Sequence, residues 1–142
     1  MALKYPPRLG DILMCEFPAC FAPPEMVKLR PVIVISRNAQ NNLGLATVVP
    51  LSTTAPVPPQ DHHCEIEARY LPPSLGAQVQ SAWVKADMVY TLSVNRLSLV
   101  QGPRNRQTGK RQYEQVRLDL TRLTLVKRCV ANALVITPET FM

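Results

Sequence analysis

Apolar residues follow one another in short runs through the first two-thirds of the chain, then recur at three- and four-residue steps, so the hydrophobic pattern changes period once. Residues 11–17, Asp-Ile-Leu-Met-Cys-Glu-Phe, are β-compatible and bounded by Gly10 and Pro18, which predicts a first strand. Residues 31–36, Pro-Val-Ile-Val-Ile-Ser, are too few for a helix and too apolar for a strand with one wet face, so they predict the central, most buried strand. Residues 45–51 predict a third strand, joined to the second as a hairpin through Asn41, Asn42, Leu43 and Gly44, whose Asn and Gly residues tolerate positive φ. These three make a meander. Residues 56–60 read as loop, 64–68 as a fourth strand, 70–76 with Pro72 and Pro73 as an irregular connection, and 81–87 as a fifth strand. Residues 89–92 and 97–100 fit either a short strand or a turn of 3₁₀ helix.

From Tyr113 onward Val116, Leu120, Leu123, Val126, Val130 and Leu134 recur at helical spacing through a proline-free stretch, predicting a long carboxy-terminal helix. Leu118, Leu125 and Cys129 widen its apolar side, and Arg117, Arg122 and Arg128 supply polar positions. Ten of the 14 prolines precede residue 60, which separates a strand-and-turn region from the helix-capable one. The implied class is mainly β (α+β): a small, bent antiparallel sheet or barrel, closed in part by the packed helix.

Composition narrows this further. A chain of 142 residues fits one domain spanning 1–142 and can hold a core unaided. The net charge is +6, and the segment from 101 to 128 accounts for all of it: Arg104, Arg106, Lys110, Arg111, Arg117, Arg122, Lys127 and Arg128 stand against only Glu114 and Asp119. Such a bias suits a polyanion partner, and it equally suits a solvated loop, residues 102–111, and the helix face after it. No apolar run approaches a signal peptide or a membrane span, which points to the cytoplasm and to no membrane. Cys15, Cys20, Cys64 and Cys129 are scattered and read as reduced thiols. His62-His63-Cys64 lacks a second ligand pair at a recognised spacing, so neither a metal nor any other cofactor is expected.

Four motifs carry a resemblance. They are Gly10-Asp11-Ile12 at the first strand, Arg30-Pro31-Val32-Ile33-Val34-Ile35 at the second, Val48-Val49-Pro50-Leu51-Ser52-Thr53 at the third, and Trp83-Val84-Lys85. In this order and spacing the chain resembles the PemK/MazF family of bacterial toxin endoribonucleases, the messenger RNA interferases, which fold as SH3-like barrels with added helices. The resemblance implies a single-stranded RNA substrate cut with sequence preference and without metal, leaving a 2′,3′-cyclic phosphate and a 5′-hydroxyl. It also implies a homodimer, an acidic and partly disordered antitoxin as inhibitor, and operator DNA reached only through that antitoxin.

The chemistry names residues. Metal-free cleavage needs a group to take the 2′-hydroxyl proton and donors for the charge growing on phosphorus. Arg30 offers a forked, permanently charged donor pair, and Glu25, five residues before it, is a base or a group that orients Arg30. On composition alone a surface salt bridge between the two is the favoured reading, and the resemblance reverses that preference. Ser52 and Thr53 complete the catalytic set as hydroxyl donors to the scissile phosphate, or form an ordinary turn capping a strand. Lys85, Lys28, Trp83, Arg104, Arg106, Lys110 and Arg111 are the expected RNA contacts. By residue type Trp83 reads better as core than as a base-stacking platform. The chain departs from the family at Pro24 beside the loop glutamate, at Trp83 where relatives carry glutamine, and in its long connection over residues 56–80. The alternative is a non-catalytic binding protein on the same barrel, either a gyrase poison or a degenerate toxin that only binds RNA or regulates its operon.

Overall fold

In the computed structural model, which describes Leu3, residues 5–37 and residues 44–142, the buried β-branched run stands at the centre of the sheet as its pattern requires. The strand β2 (Leu29–Val34) lies between β1 (Asp11–Glu16) and β3 (Leu45–Ser52), antiparallel to both. The first three strands are therefore the expected meander, although Asn41, Asn42 and Leu43 of the expected hairpin turn lie outside the described residues. Val32, Ile33 and Val34 are fully buried, each contributing roughly 1.5–3 kcal/mol of transfer free energy.

Both outer strands of the meander change partner along their length. On its free side β1 pairs first with β10 (Val116–Arg117) and then with β7 (Leu97–Ser98). Strand β3 pairs over its first half with β6 (Tyr90–Ser93) and at its end with β5 (Ser81–Lys85), which carries β4 (His63–Glu67) on its far edge. Pro50, which has no N–H to donate, sits between those two stretches, where β3 passes from one partner to the other. The result is one curled antiparallel sheet, a half-barrel of eight strands among the described residues, beside a separate hairpin of β8 (Val100–Arg104) and β9 (Arg111–Glu114).

Alternate residues of the meander feed two cores. Ile12, Ile33, Val49, Leu51 and Val84 meet Val126 and Cys129 of the helix α2 (Leu120–Ala133) on one face. Leu13, Cys15, Val32, Val34 and Val48 meet Phe17 and Leu97 on the other. Gly10 allows β1 to start: at φ +91° its missing Cβ would lie 3.2 Å from Arg117 Cγ and 3.4 Å from the Leu118 carbonyl oxygen. Asp11, buried to 4% exposure, accepts from the Arg8 N–H at 2.8 Å and from Arg117 Nε at 2.9 Å, tying the β10 edge down.

The sequence pattern misplaces three boundaries. The helix begins at Leu120 instead of near Tyr113, because Val116 pairs with Ile12 in the sheet and Asp119 caps the helix by accepting from Arg122 N–H at 3.1 Å. Leu120, read as an apolar-face residue, is 78% exposed. The basic stretch 102–111, expected as a loop, is strand only at its ends, residues 102–104 and 111 of the β8–β9 hairpin, and between them is a turn in which Asn105 Oδ1 accepts from the Gln107 and Thr108 N–H groups. The connection at 70–76 holds a short helix, α1 (Pro73–Gly76), after a 3₁₀ turn. Among the described residues no helix is long and apolar enough to cross a membrane.

The four cysteines are free, and burial separates their chemistry. Loss of hydration pushes the Cys15 thiol up to about 11 and Cys64 to about 12, with Cys129, hydrogen-bonded to Cys64, also raised. Cys20 is exposed. A thiol-disulfide reagent at mildly alkaline pH is expected to modify one cysteine, Cys20, quickly in the folded protein and all four after denaturation in guanidinium chloride. Mass mapping of the labelled site checks this, and fast labelling of Cys15 or Cys64 in the folded state would contradict it.

Candidate functional site

Strand register assembles the site. Val34 stands opposite Val48, Ile33 opposite Val49 and Val32 opposite Pro50, where the β2–β3 pairing ends, and the same register continued two residues past it puts Arg30 level with Ser52. Ser52 is itself opposite Trp83, and Trp83 opposite Glu65. Directly opposed residues share a face of the sheet, so Arg30, Ser52, Trp83 and Glu65 form one row across β2, β3, β5 and β4, spanning roughly 14 Å at the usual strand spacing. Two residues along, Lys85 and His63 oppose each other on the same face.

Trp83 is not a core residue. Its neighbours Ala82 and Val84 are buried on the helix-facing side, while Trp83 is half-buried on the opposite side beside Ser52. The strand's period of two assigns the apolar face to its smaller residues and leaves the indole on the row.

Arg30 is exposed, and its Nε donates to the Val27 carbonyl at 3.2 Å. Among the described residues no carboxylate lies within ion-pairing distance of it, so neither a salt bridge nor a direct orienting contact joins Glu25 to Arg30. Glu25 sits in the loop between β1 and β2, where its Oε1 accepts from the Ala22 N–H at 3.2 Å. That loop is held at both ends. The Phe17 N–H donates to the Lys28 carbonyl at 2.9 Å, and the Met26 N–H donates to Tyr90 Oη at 3.1 Å. Phe17, Phe21 and Tyr90 cluster beneath it, Phe17 stacked on Phe21 at 6.3 Å between centroids and edge-on to Tyr90 at 5.0 Å. The loop thereby brings Glu25 to the wall of a cleft that Lys85, His63, Asp87 and Tyr90 also line.

Ser52 Oγ accepts from the Thr54 N–H at 3.1 Å and closes a Ser/Thr turn at the end of β3, with Thr53 exposed in it. The Ser52 hydroxyl in turn donates to the Thr54 carbonyl at 3.4 Å, a long bond it would exchange for one to a phosphate oxygen. Lys28 lies apart from the cleft, at φ +64° on a second groove lined with Glu16, Phe17 and Leu29. Arg104, Arg106, Lys110 and Arg111 are exposed on the β8–β9 hairpin, which is not hydrogen-bonded to the sheet carrying the row. Two cations of the basic segment serve the fold: Arg117 binds Asp11, and Arg122 pairs with Asp119 at 3.1 Å and covers the Tyr70 ring at 4.0 Å.

Sequence reasoning misses Glu65, His63 and Asp87 as neighbours of these groups. In the sequence His63 suggests only a zinc ligand beside Cys64, whereas alternation along β4 separates the two, sending His63 toward Lys85 and Cys64 toward Cys129. Asp87 joins His62 and His63 with ligand atoms within 4.8 Å of one another, a grouping that only the β4–β5 register creates.

Residues 8–129 match the family described as PemK-like, MazF-like toxins of type II toxin–antitoxin systems. The chain belongs to this family. As a member of it, the chain is 35% identical over 118 residues to YifN, an uncharacterized protein of Escherichia coli K12, covering 69% of this chain and 76% of YifN. An uncharacterized protein of Haemophilus influenzae is 31% identical over 108 residues, 68% of this chain and 73% of that one. Among solved structures, MazF of Deinococcus radiodurans in a MazE–MazF crystal superposes with a TM-score of 0.60 at 18% identity, over 94% of this chain and all of that one. An endoribonuclease of a mycobacterial species superposes with a TM-score of 0.59 at 17% identity, over 92% of each chain. The PemK/MazF-like toxin thus shares the half-barrel and carboxy-terminal helix of these proteins.

Proposed function

We propose that this PemK/MazF-like toxin is an endoribonuclease that cuts single-stranded RNA with sequence preference and without a metal. The observation that carries the proposal is Arg30, a solvent-facing guanidinium with no carboxylate partner among the described residues, at the head of a row holding a hydroxyl and the chain's single tryptophan. In this reading RNA lies along the row. The 2′-oxygen attacks phosphorus as Glu25 takes its proton, the bond to the 5′-oxygen breaks as that oxygen takes a proton from solvent, and the products are a 2′,3′-cyclic phosphate and a 5′-hydroxyl. Arg30 stabilises the charge that grows on the phosphoryl oxygens, a contribution worth ~10²–10³ in rate for one well-placed donor. Ser52 and Thr53 orient the scissile phosphate, Lys85 binds its neighbour, and Trp83 stacks on an unpaired base.

The partners follow the family. The solved relatives include a mycobacterial endoribonuclease in complex with its cognate antitoxin and MazE–MazF of Deinococcus radiodurans. An acidic antitoxin, folding as it covers the basic surface, is the corresponding inhibitor here, with the toxin a cytoplasmic homodimer and operator DNA engaged through the antitoxin. One observation favours the second reading, RNA binding without cleavage: Glu25 makes no contact with Arg30, and its carboxylate is occupied by the Ala22 N–H.

Cleavage decides between them. Purified protein is expected to cut a mixed-sequence RNA in excess EDTA, and Arg30→Ala to lose ~100-fold or more of that rate. Because Arg30 is exposed and gives one hydrogen bond to its own loop, urea unfolding of the variant should shift by less than about 0.5 kcal/mol. A strict metal requirement, or a full rate in Arg30→Ala, would overturn the mechanism. Replacing Arg104, Arg106, Lys110 and Arg111 with glutamine is expected to flatten the salt dependence of RNA binding by roughly 0.7 in slope for each phosphate that is no longer neutralised. An unchanged slope would mean that the hairpin cations only face solvent.

A further inference from the structure

His63 is unassigned in the mechanism above, yet it faces the same cleft as Glu25 and Lys85. On β4 it stands directly opposite Lys85, and its Nδ1 accepts from the Gln60 N–H at 3.0 Å. A ring nitrogen that accepts cannot carry the proton, so the neutral imidazole bears it on Nε2. The His62 ring lies against it at 4.2 Å between centroids, and His62 is flanked by Asp87 at 3.6 Å and Asp61 at 3.8 Å.

The grouping of His62, His63 and Asp87 invites a metal, but the Gln60 hydrogen bond opposes one. Ligation through His63 Nε2 would move the ring proton to Nδ1, setting two N–H groups against each other, and ligation through Nδ1 would displace the Gln60 N–H. The same bond suits a different task. Burial lowers the His63 pKa below its ordinary value, His62 and Lys85 press it the same way, and only Asp87 opposes them. At neutral pH the ring is uncharged, with one fixed donor and Lys85 at its side.

We propose that His63 is a substrate-binding residue whose neutral Nε2–H donates a hydrogen bond to a non-bridging phosphate oxygen of the RNA strand, next to the phosphate held by Lys85. The inference rests on the nuclease reading of the cleft and adds a neutral donor, in place of an imidazolium, to its phosphate contacts. Protonation would leave the Nε2–H in place but set an Nδ1–H against the Gln60 N–H, so the bond that fixes the ring's orientation is present above the lowered pKa and lost as pH falls through it. The charged and titratable groups around the ring are Lys85 on the paired strand, Asp87 just after that strand, His62 beside it, and Glu25 across the cleft.

Long-range proton–nitrogen spectra of the histidine-labelled wild-type protein test the tautomer and the contact without any cleavage. The expected result at neutral pH is the Nε2–H form of His63, whose signals move when a short single-stranded RNA with 2′-O-methyl riboses is added. In cleavage assays His63→Ala should raise KM roughly tenfold with little change in kcat, the signature of an interaction made equally in ground and transition states. His63→Gln, which keeps an amide donor near the Nε2 position, should recover part of that loss. A wild-type protein that binds RNA through His63 but cuts nothing would sink the nuclease reading and keep this one. Active protein whose His63 signals ignore RNA, or carry the proton on Nδ1, would overturn the His63 assignment alone.

Discussion

Burial of β2 on both faces is the constraint on which the rest depends. Val32 and Val34 point into one core and Ile33 into the other, so a slip of one residue against β1 or β3 would exchange the faces of every side chain on the strand. Each of these positions is fully buried, and the register is pinned by several such side chains at once. Arg30 inherits its position from this arrangement, two residues before Val32 on the same face. Its own contacts contribute little, since it gives one hydrogen bond to Val27. A side chain whose place is set by its neighbours' burial, as that of the proposed catalytic Arg30 is, can change with little cost to the fold.

Glu25 is placed differently. Its loop is anchored by Tyr90 Oη and the clustered Phe17, Phe21 and Tyr90 rings, which belong to the core on the Arg30 face of β2. Tyr90 thus links the sheet to the loop and also lines the cleft that Glu25 enters. The rigid row and the tethered loop flank Lys85 and His63, which oppose each other on β5 and β4 two residues along from Trp83 and Glu65. Local burial governs the first, and a few hydrogen bonds with the ring cluster govern the second, so the geometry around Glu25 is the more readily altered by a bound strand or partner.

Much of this is legible in the chain. Short β-compatible and continuous apolar runs bounded by Gly, Asn and Pro mark β1 to β3, and the Arg30-Pro31 and Ser52-Thr53 pairs point to strand ends on neighbouring strands. What escapes has a physical reason. The helix start is hidden because Val116 and Leu120 fall four residues apart by coincidence, one pairing in the sheet and the other exposed in the first turn. Residue type alone assigns Trp83 to the core, but its neighbours Ala82 and Val84 already occupy the buried face of β5. His63 cannot be found from spacing, because its partners Lys85 and Gln60 are fixed by the pairing of β4 with β5 and by a turn within the long proline-rich connection.

The central claim is that the Arg30–Ser52–Trp83 row is the face that meets RNA, and the chain contains one tryptophan to report on it. Titrating the protein with an unstructured single-stranded RNA while following indole emission tests the claim directly. The account predicts saturable quenching that weakens with salt and is reduced in Arg30→Ala. Emission that stays constant at RNA concentrations where binding is complete by an independent method would contradict it.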